Sequence, residues 1–193
     1  MKLIFTYSLQ SEIAVVRETL RDSEFILQNH YQYWLPKGID IKSENKNIQK
    51  AASRELNSKG IVRTRAKIHK AFMKYRKDLD CFTQSLGLRL PNEVDVVLTK
   101  YGTGGSYELP NKIILNITSD YNDPCITFVH ELVHLLVEEP IVKKYNLSHW
   151  QKEGLVDYLI LHDENLKRIT KGYSLQSEAT LPTNEQVKQW LAS

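Results

Sequence analysis

His130-Glu131-Leu132-Val133-His134 is the stretch of this chain best equipped for chemistry. Histidines four apart on a helix lie one above the other on the same face, so both imidazoles can converge on one metal ion. Glu131 is offset by one residue's rotation. Its carboxylate then sits beside the ion, where it can take a proton from a water without being a ligand itself. With six His and fourteen Glu among 193 residues, chance alone produces this five-residue pattern in roughly one such chain in a hundred.

A catalytic zinc needs three protein ligands and one open position. Glu153 follows His134 after eighteen intervening residues, and Asp157 stands four residues beyond it. One helix would carry both on one face, with Glu153 as third ligand and Asp157 placed to accept the outer N–H of a ligating histidine. Val129, Leu132, Val133, Leu135, Leu136 and Val137 make the HELVH helix apolar almost all round, the pattern of an element buried in a core. Two histidines and a glutamate at such a place must be paired or ligating.

HELVH, the eighteen-residue gap, Glu153 within a Glu-Gly-Leu run and Asp157 together resemble the gluzincin metallopeptidases, over about seventy residues from Val94 to His162. The resemblance implies one Zn²⁺ held by His130, His134 and Glu153, general-base catalysis by Glu131 and hydrolysis of a peptide or protein substrate. It also implies an α+β fold: a zincin-like metallopeptidase core of a small antiparallel sheet plus the active-site helix, to which this chain adds N-terminal helices. The strand Ile113 to Ile117 would form the upper edge of the cleft, open to an extended peptide. A Tyr or His would share the negative charge of the reacting carbonyl oxygen, with His149, Tyr158, Tyr145 and Tyr173 as candidates. His149 has a lesser claim as an alternative ligand. Between Gly102 and Glu108 the only acid is Glu108, so the glycine-and-acid signature that anchors a free amino terminus in aminopeptidases is missing, which favours an endopeptidase.

The elements that must position these residues follow from periodicity and caps. A short strand is expected at residues 3–7, a helix from Ser11 to about Tyr31, and a second from about Glu44 to Leu56. Ile68, Phe72, Tyr75, Leu79, Phe82 and Leu86 mark one long helix after a turn at Lys59-Gly60. β-rich runs at Val94–Leu98 and Ile113–Ile117 flank the Gly102-Thr103-Gly104-Gly105 run. Asp123 with Pro124 starts the HELVH helix and Pro140 closes it. Ser148 with Gln151 boxes the start of the next helix, and Thr183 with Gln186 that of a last one. Gly154 inside a helix predicts close packing against the HELVH helix. Residues 1–90 read as a mainly helical lobe packed on the core, and 91–193 as the core with a C-terminal tail.

The composition, with 41% apolar and 25% charged residues, is that of an ordinary globular chain. No apolar run reaches ~18 residues, so no membrane span is expected. Cys81 and Cys125 form no CxxC, which argues against a disulfide framework. With no signal-peptide core in the first residues, the expected compartment is the cytoplasm.

Charge is unevenly spread. Lys46 to Lys77 holds eleven Lys or Arg against the single acid Glu55, whereas Asp120 to Glu164 holds nine acids and three bases. A basic face invites a second reading, a nucleic-acid-associated protein. It carries no aromatic interleaving and no reading motif, and a solvated basic face is the commoner explanation. A third reading is a catalytically silent or self-inhibited zinc protein, in which the tail from Lys171 to Ser193 lies across the cleft on Leu175, Leu181 and Trp190.

Overall fold

The computed structural model describes residues 1–57, 59–118, 123–175 and 179–191. It is an α+β arrangement of four strands and eight α-helices among those residues. The chain begins with β1 (Lys2–Thr6) and α1 (Leu9–Arg21), the latter opened by a capping box between Ser8 and Ser11. At Asp22 the backbone leaves helical angles (φ −96°, ψ 11°), so the single helix expected to Tyr31 is divided, and α2 (Ser23–Gln28) follows. After α3 (Asn45–Glu55) comes the long α4 (Lys59–Ser85), which buries Ile61, Ile68, Phe72, Leu79 and Phe82 along one stripe. The Lys59-Gly60 turn is thus the first turn of the helix itself.

The remaining strands are β2 (Glu93–Thr99), β3 (Gly105–Glu108) and β4 (Lys112–Asn116). Their order across the sheet is β1-β2-β4-β3. The sheet is therefore not antiparallel as expected but mixed: β1 with β2 and β2 with β4 pair in parallel, and only β3 with β4 is antiparallel. β2 and β4 bury apolar side chains on both faces, as strands covered on both sides by helices must, and take the centre. β3 contributes Gly105 and Ser106 and takes the edge. Ile113 to Ile117 is consequently an interior strand, and the open rim that the resemblance placed there belongs to Gly105–Glu108.

Period-2 alternation splits the core into two layers. Val94, Val96, Leu98, Ile113 and Leu115 face α4 and the two helices that carry the metal-binding candidates. Val97 and Ile114 point the other way, onto Val15 and Val16 of α1 and Ile48 and Ala52 of α3. The first strand thus belongs to the same sheet as the strands after residue 91.

α5 (Pro124–Val137) starts where the Asp123-Pro124 pair predicts, with the Asp123 carboxylate accepting from Cys125 N at 2.9 Å. Its end differs, because Pro140 does not stop the chain. The helix widens into a π-helical segment, Glu138–Lys143. Proline has no N–H to give to the carbonyl four residues back, and the looser winding carries the chain past that missing bond. α6 (His149–His162) opens with the Ser148/Gln151 box. α7 (Glu164–Ile169) and α8 (Asn184–Leu191) follow, the latter boxed by reciprocal bonds between Thr183 and Gln186 at 2.8 and 3.2 Å. Among the described residues no helix is long and apolar enough to cross a membrane, and Cys81 and Cys125 are free.

Candidate metal centre

α5 and α6 pack against each other through the core that also holds α4 and one face of the sheet. Their buried faces bring together His130, His134 and Glu153, whose donor atoms all lie within 4.8 Å of one another. The His130 and His134 Nε2 atoms are 3.0 Å apart, and Glu153 Oε2 lies 3.1 Å from the second and 3.4 Å from the first. A tetrahedral ion with bonds of ~2.0–2.1 Å separates its ligand atoms by ~3.3 Å. The triangle matches that spacing, and the group can hold a metal ion.

Electrostatics support the same reading. Burial pulls the Glu153 carboxyl upward, yet the electrostatic attraction of the His134 ring and the hydrogen bonds from both imidazoles hold it well below the usual carboxylate range. Burial pushes the His134 imidazole down to about 4, so it stays neutral. At His130 burial also lowers proton affinity, but the bond to Glu153 and the charge of Glu131 raise it overall. The point where three donors converge therefore calls for a cation, either a proton on His130 or a metal ion that displaces it.

The outer nitrogens differ. His130 Nδ1 lies 2.8 Å from the Tyr173 hydroxyl, which in turn donates to Asp157, a residue with no exposure. A proton on Nδ1 directs the Nε2 lone pair at the convergence point. Asp157 thus supports His130 through an intervening phenol. Nδ1 of His134 is buried with no hydrogen-bond partner among the described residues. That ring is instead fixed by stacking on Tyr107 of β3, with centroids 5.0 Å apart and planes within 7°. The Tyr107 hydroxyl donates to Glu138 at 2.6 Å and accepts from Lys152 at 3.1 Å, which ties the edge strand to the ends of both site helices.

Glu131 is 7% exposed, has no hydrogen-bond donor among the described residues and lines a cleft of about 920 Å³ that also reaches His130, His134 and Glu153. Burial pushes its carboxyl up to about 7. Room for it depends on Gly105, where a Cβ would stand 2.6 Å from Glu131 Oε1 and 2.6 Å from Thr127 Cγ2. The glycine run reads as a turn in sequence, and nothing there announces that its last member makes space for Glu131.

Of the four candidate oxyanion donors, His149 and Tyr173 border the cleft. Tyr145 donates to Gln189 O at 3.3 Å and Tyr158 to Asn184, both away from it. His149 Nδ1 is 3.9 Å from Glu153 Oε1, outside the convergent triangle, so its claim as a ligand falls. Gly154 packs on a different neighbour from the one expected: a Cβ there would lie 1.9 Å from the carbonyl oxygen of Thr180, whose N–H donates to Trp150 O at 3.1 Å. The close approach is to the C-terminal segment, not to α5.

That segment also supplies Tyr173, Ser174 and Leu175 to the cleft. The part of the expected tail at 176–178 and 192–193 lies outside the described residues. Tyr31, expected only as the end of the first helix and not as a site residue, lies in the connection after α2. Its hydroxyl is 2.8 Å from His149 Nε2. No family model, curated protein or solved structure matches this chain, so the site's own geometry carries the functional argument.

Proposed function

We propose that this protein is a zinc-dependent peptidase in which Glu131 is the general base. One observation carries the reading: a His-His-Glu donor triangle and a buried, unpartnered glutamate open onto the same cleft. Zinc at the triangle would supply Lewis acidity, lowering the pKa of a water toward ~7 and polarising a substrate carbonyl. Two neutral imidazoles and one carboxylate suit zinc, and their +1 net charge with the ion leaves it strongly electrophilic. Glu131 accepts the proton of the attacking water and delivers it to the leaving amine. Gly105 leaves room for the carboxylate to do so.

The edge strand is the substrate's dock. Asn116 N donates to Gly104 O at 3.1 Å, so alternation along the β3–β4 ladder directs Ser106 and Glu108 inward and turns the N–H and C=O of Tyr107 outward. An extended peptide can add to that edge through backbone bonds, with little demand on its side chains. Glu108, the single acid in the Gly102–Glu108 stretch, is paired with Lys112 at 2.6 Å. It is therefore not a free anchor for a substrate amino terminus, which favours an endopeptidase.

The test is metal analysis of purified protein beside casein cleavage, for the native sequence and for Glu131→Gln. One zinc per chain in both, with turnover only in the native protein, is the expected result. A native protein that binds no zinc after supplementation removes the metal reading; equal turnover in the two removes Glu131 as base.

A further inference from the structure

Among the residues that wall the cleft, Tyr31 lies about a hundred residues before the first metal-binding candidate, and three features hold it there. His30 adopts a left-handed conformation, φ 58°, uncommon for a residue with a side chain. The reversal is closed by His30 N to Leu27 O at 3.1 Å and Tyr31 N to Ile26 O at 2.9 Å, and it turns the chain off the end of α2. Three residues later, Trp34 exchanges two backbone bonds of 2.9 Å with Gly102, at the start of the loop that leads to Gly105. The Tyr31 ring packs edge-on against His149 at 5.7 Å and lies 6.0 Å from Trp150, both in the first turn of α6. Strain of this kind persists only where the surroundings over-determine it.

Hydrolysis of an amide places negative charge on the former carbonyl oxygen, and a positioned O–H or N–H donor stabilises it. Tyr173 is committed to His130 and Asp157, and Tyr107 to Glu138. Tyr145 and Tyr158 are bonded outside the cleft. Tyr31 contacts His149, a ring one helical turn ahead of Glu153. Resting on the peptidase reading, we propose that Tyr31 is the catalytic hydrogen-bond donor to the developing oxyanion, and that His149 positions it. With its proton on Nε2, His149 donates to the phenol oxygen and leaves the O–H free to reach substrate. Burial and the charges of Glu153, Glu131 and Asp157 raise the phenol's proton affinity, so it remains a donor at neutral pH. The N-terminal helices thereby gain a role: they carry a catalytic group to a site whose base and metal-binding candidates lie after residue 129.

The experiment compares Tyr31→Phe, His149→Gln and the double variant, with Tyr145→Phe and Tyr158→Phe as controls. Zinc content, kcat and KM on a peptide, and affinity for a peptide phosphonamidate that mimics the tetrahedral anion are measured. Tyr31→Phe should keep one zinc per chain and its KM, lose about 10²-fold or more in kcat, and lose phosphonamidate affinity in parallel. His149→Gln should lose less, and the double variant should be no worse than Tyr31→Phe, the signature of a unit. The controls should match the native protein. Native turnover by Tyr31→Phe while Glu131→Gln is inactive overturns this proposal and leaves the peptidase reading intact. Loss of zinc from Tyr31→Phe overturns it as well, assigning the phenol to the fold. A zinc-loaded native protein no more active than Glu131→Gln defeats both.

Discussion

Two carboxylates lie buried on opposite sides of the same sheet, and their surroundings differ. Glu12 of α1 is 1% exposed and fully engaged: Thr99 Oγ1 donates to Oε2 at 2.5 Å, and Lys100 N donates at 3.2 and 3.3 Å. Glu131 of α5 is also buried, at 7% exposure, yet no described residue donates to it and it faces a cleft. A buried acid that is satisfied ties α1 to the end of β2; one left unsatisfied is held ready for something that arrives. Burial alone does not separate the two roles, but the hydrogen-bond inventory does.

The largest effect should come from Glu131. Replacement by Gln should lower peptide turnover by about 10²–10⁴-fold, with zinc content and thermal stability kept or improved. The comparison breaks if that variant unfolds instead. His134→Ala should come next, because it removes one corner of the donor triangle; zinc stoichiometry should fall toward zero, and chelator treatment should then leave its Tm unchanged while lowering that of the native protein.

Two glycines test the spatial side of the contrast. Gly105→Ala places a methyl group against Glu131 and should cut kcat by about 10²-fold with the fold intact, since the flexible carboxylate moves first. Gly154→Ala collides with the Thr180 backbone and should instead detach the C-terminal segment, seen as faster proteolysis there. Equal loss of activity and stability in both would erase the distinction.

The smallest effect belongs to Glu12. Removing its carboxylate by Glu12→Ala leaves the Thr99 hydroxyl and the Lys100 N–H without their partner and should cost about 1–3 kcal/mol in urea unfolding, with zinc content unchanged. Burial, opposed by the Thr99 and Lys100 hydrogen bonds, raises the Glu12 pKa above the ordinary 4.5. The folded state then holds this proton more tightly than the unfolded state does. Its contribution is fully present below 4.5 and is lost as pH rises through the elevated value. Glu12→Gln should flatten that portion of the stability curve; an unaltered slope would show that another group carries it.

The candidate metal-binding triad was readable because its geometry is mostly local. Four residues of helix set His130 above His134 whatever the rest of the chain does, and the Ser148/Gln151 box set the start of the helix that carries Glu153. The caps at Asp123 and Thr183 were equally local. Pro140 misled because a proline's missing N–H permits a wider winding as well as a stop, and core packing of Ile141 and Val142 decides between them. The strand order was beyond reach for a related reason: β-rich composition marks a strand, whereas which strand takes the edge depends on how all the faces are covered at once.

By itself, the sequence determined that His130, His134, Glu131 and a following carboxylate helix would be available for metal chemistry, since turn-by-turn spacing and capping depend only on near neighbours. The tertiary structure alone decided that Gly105 makes room for Glu131, that Tyr107 braces His134, that Tyr173 links His130 to Asp157, and that Tyr31 reaches His149 across more than a hundred residues of chain. Those contacts come from burying helices on both faces of one sheet, a condition that the whole chain satisfies together and that no single segment encodes.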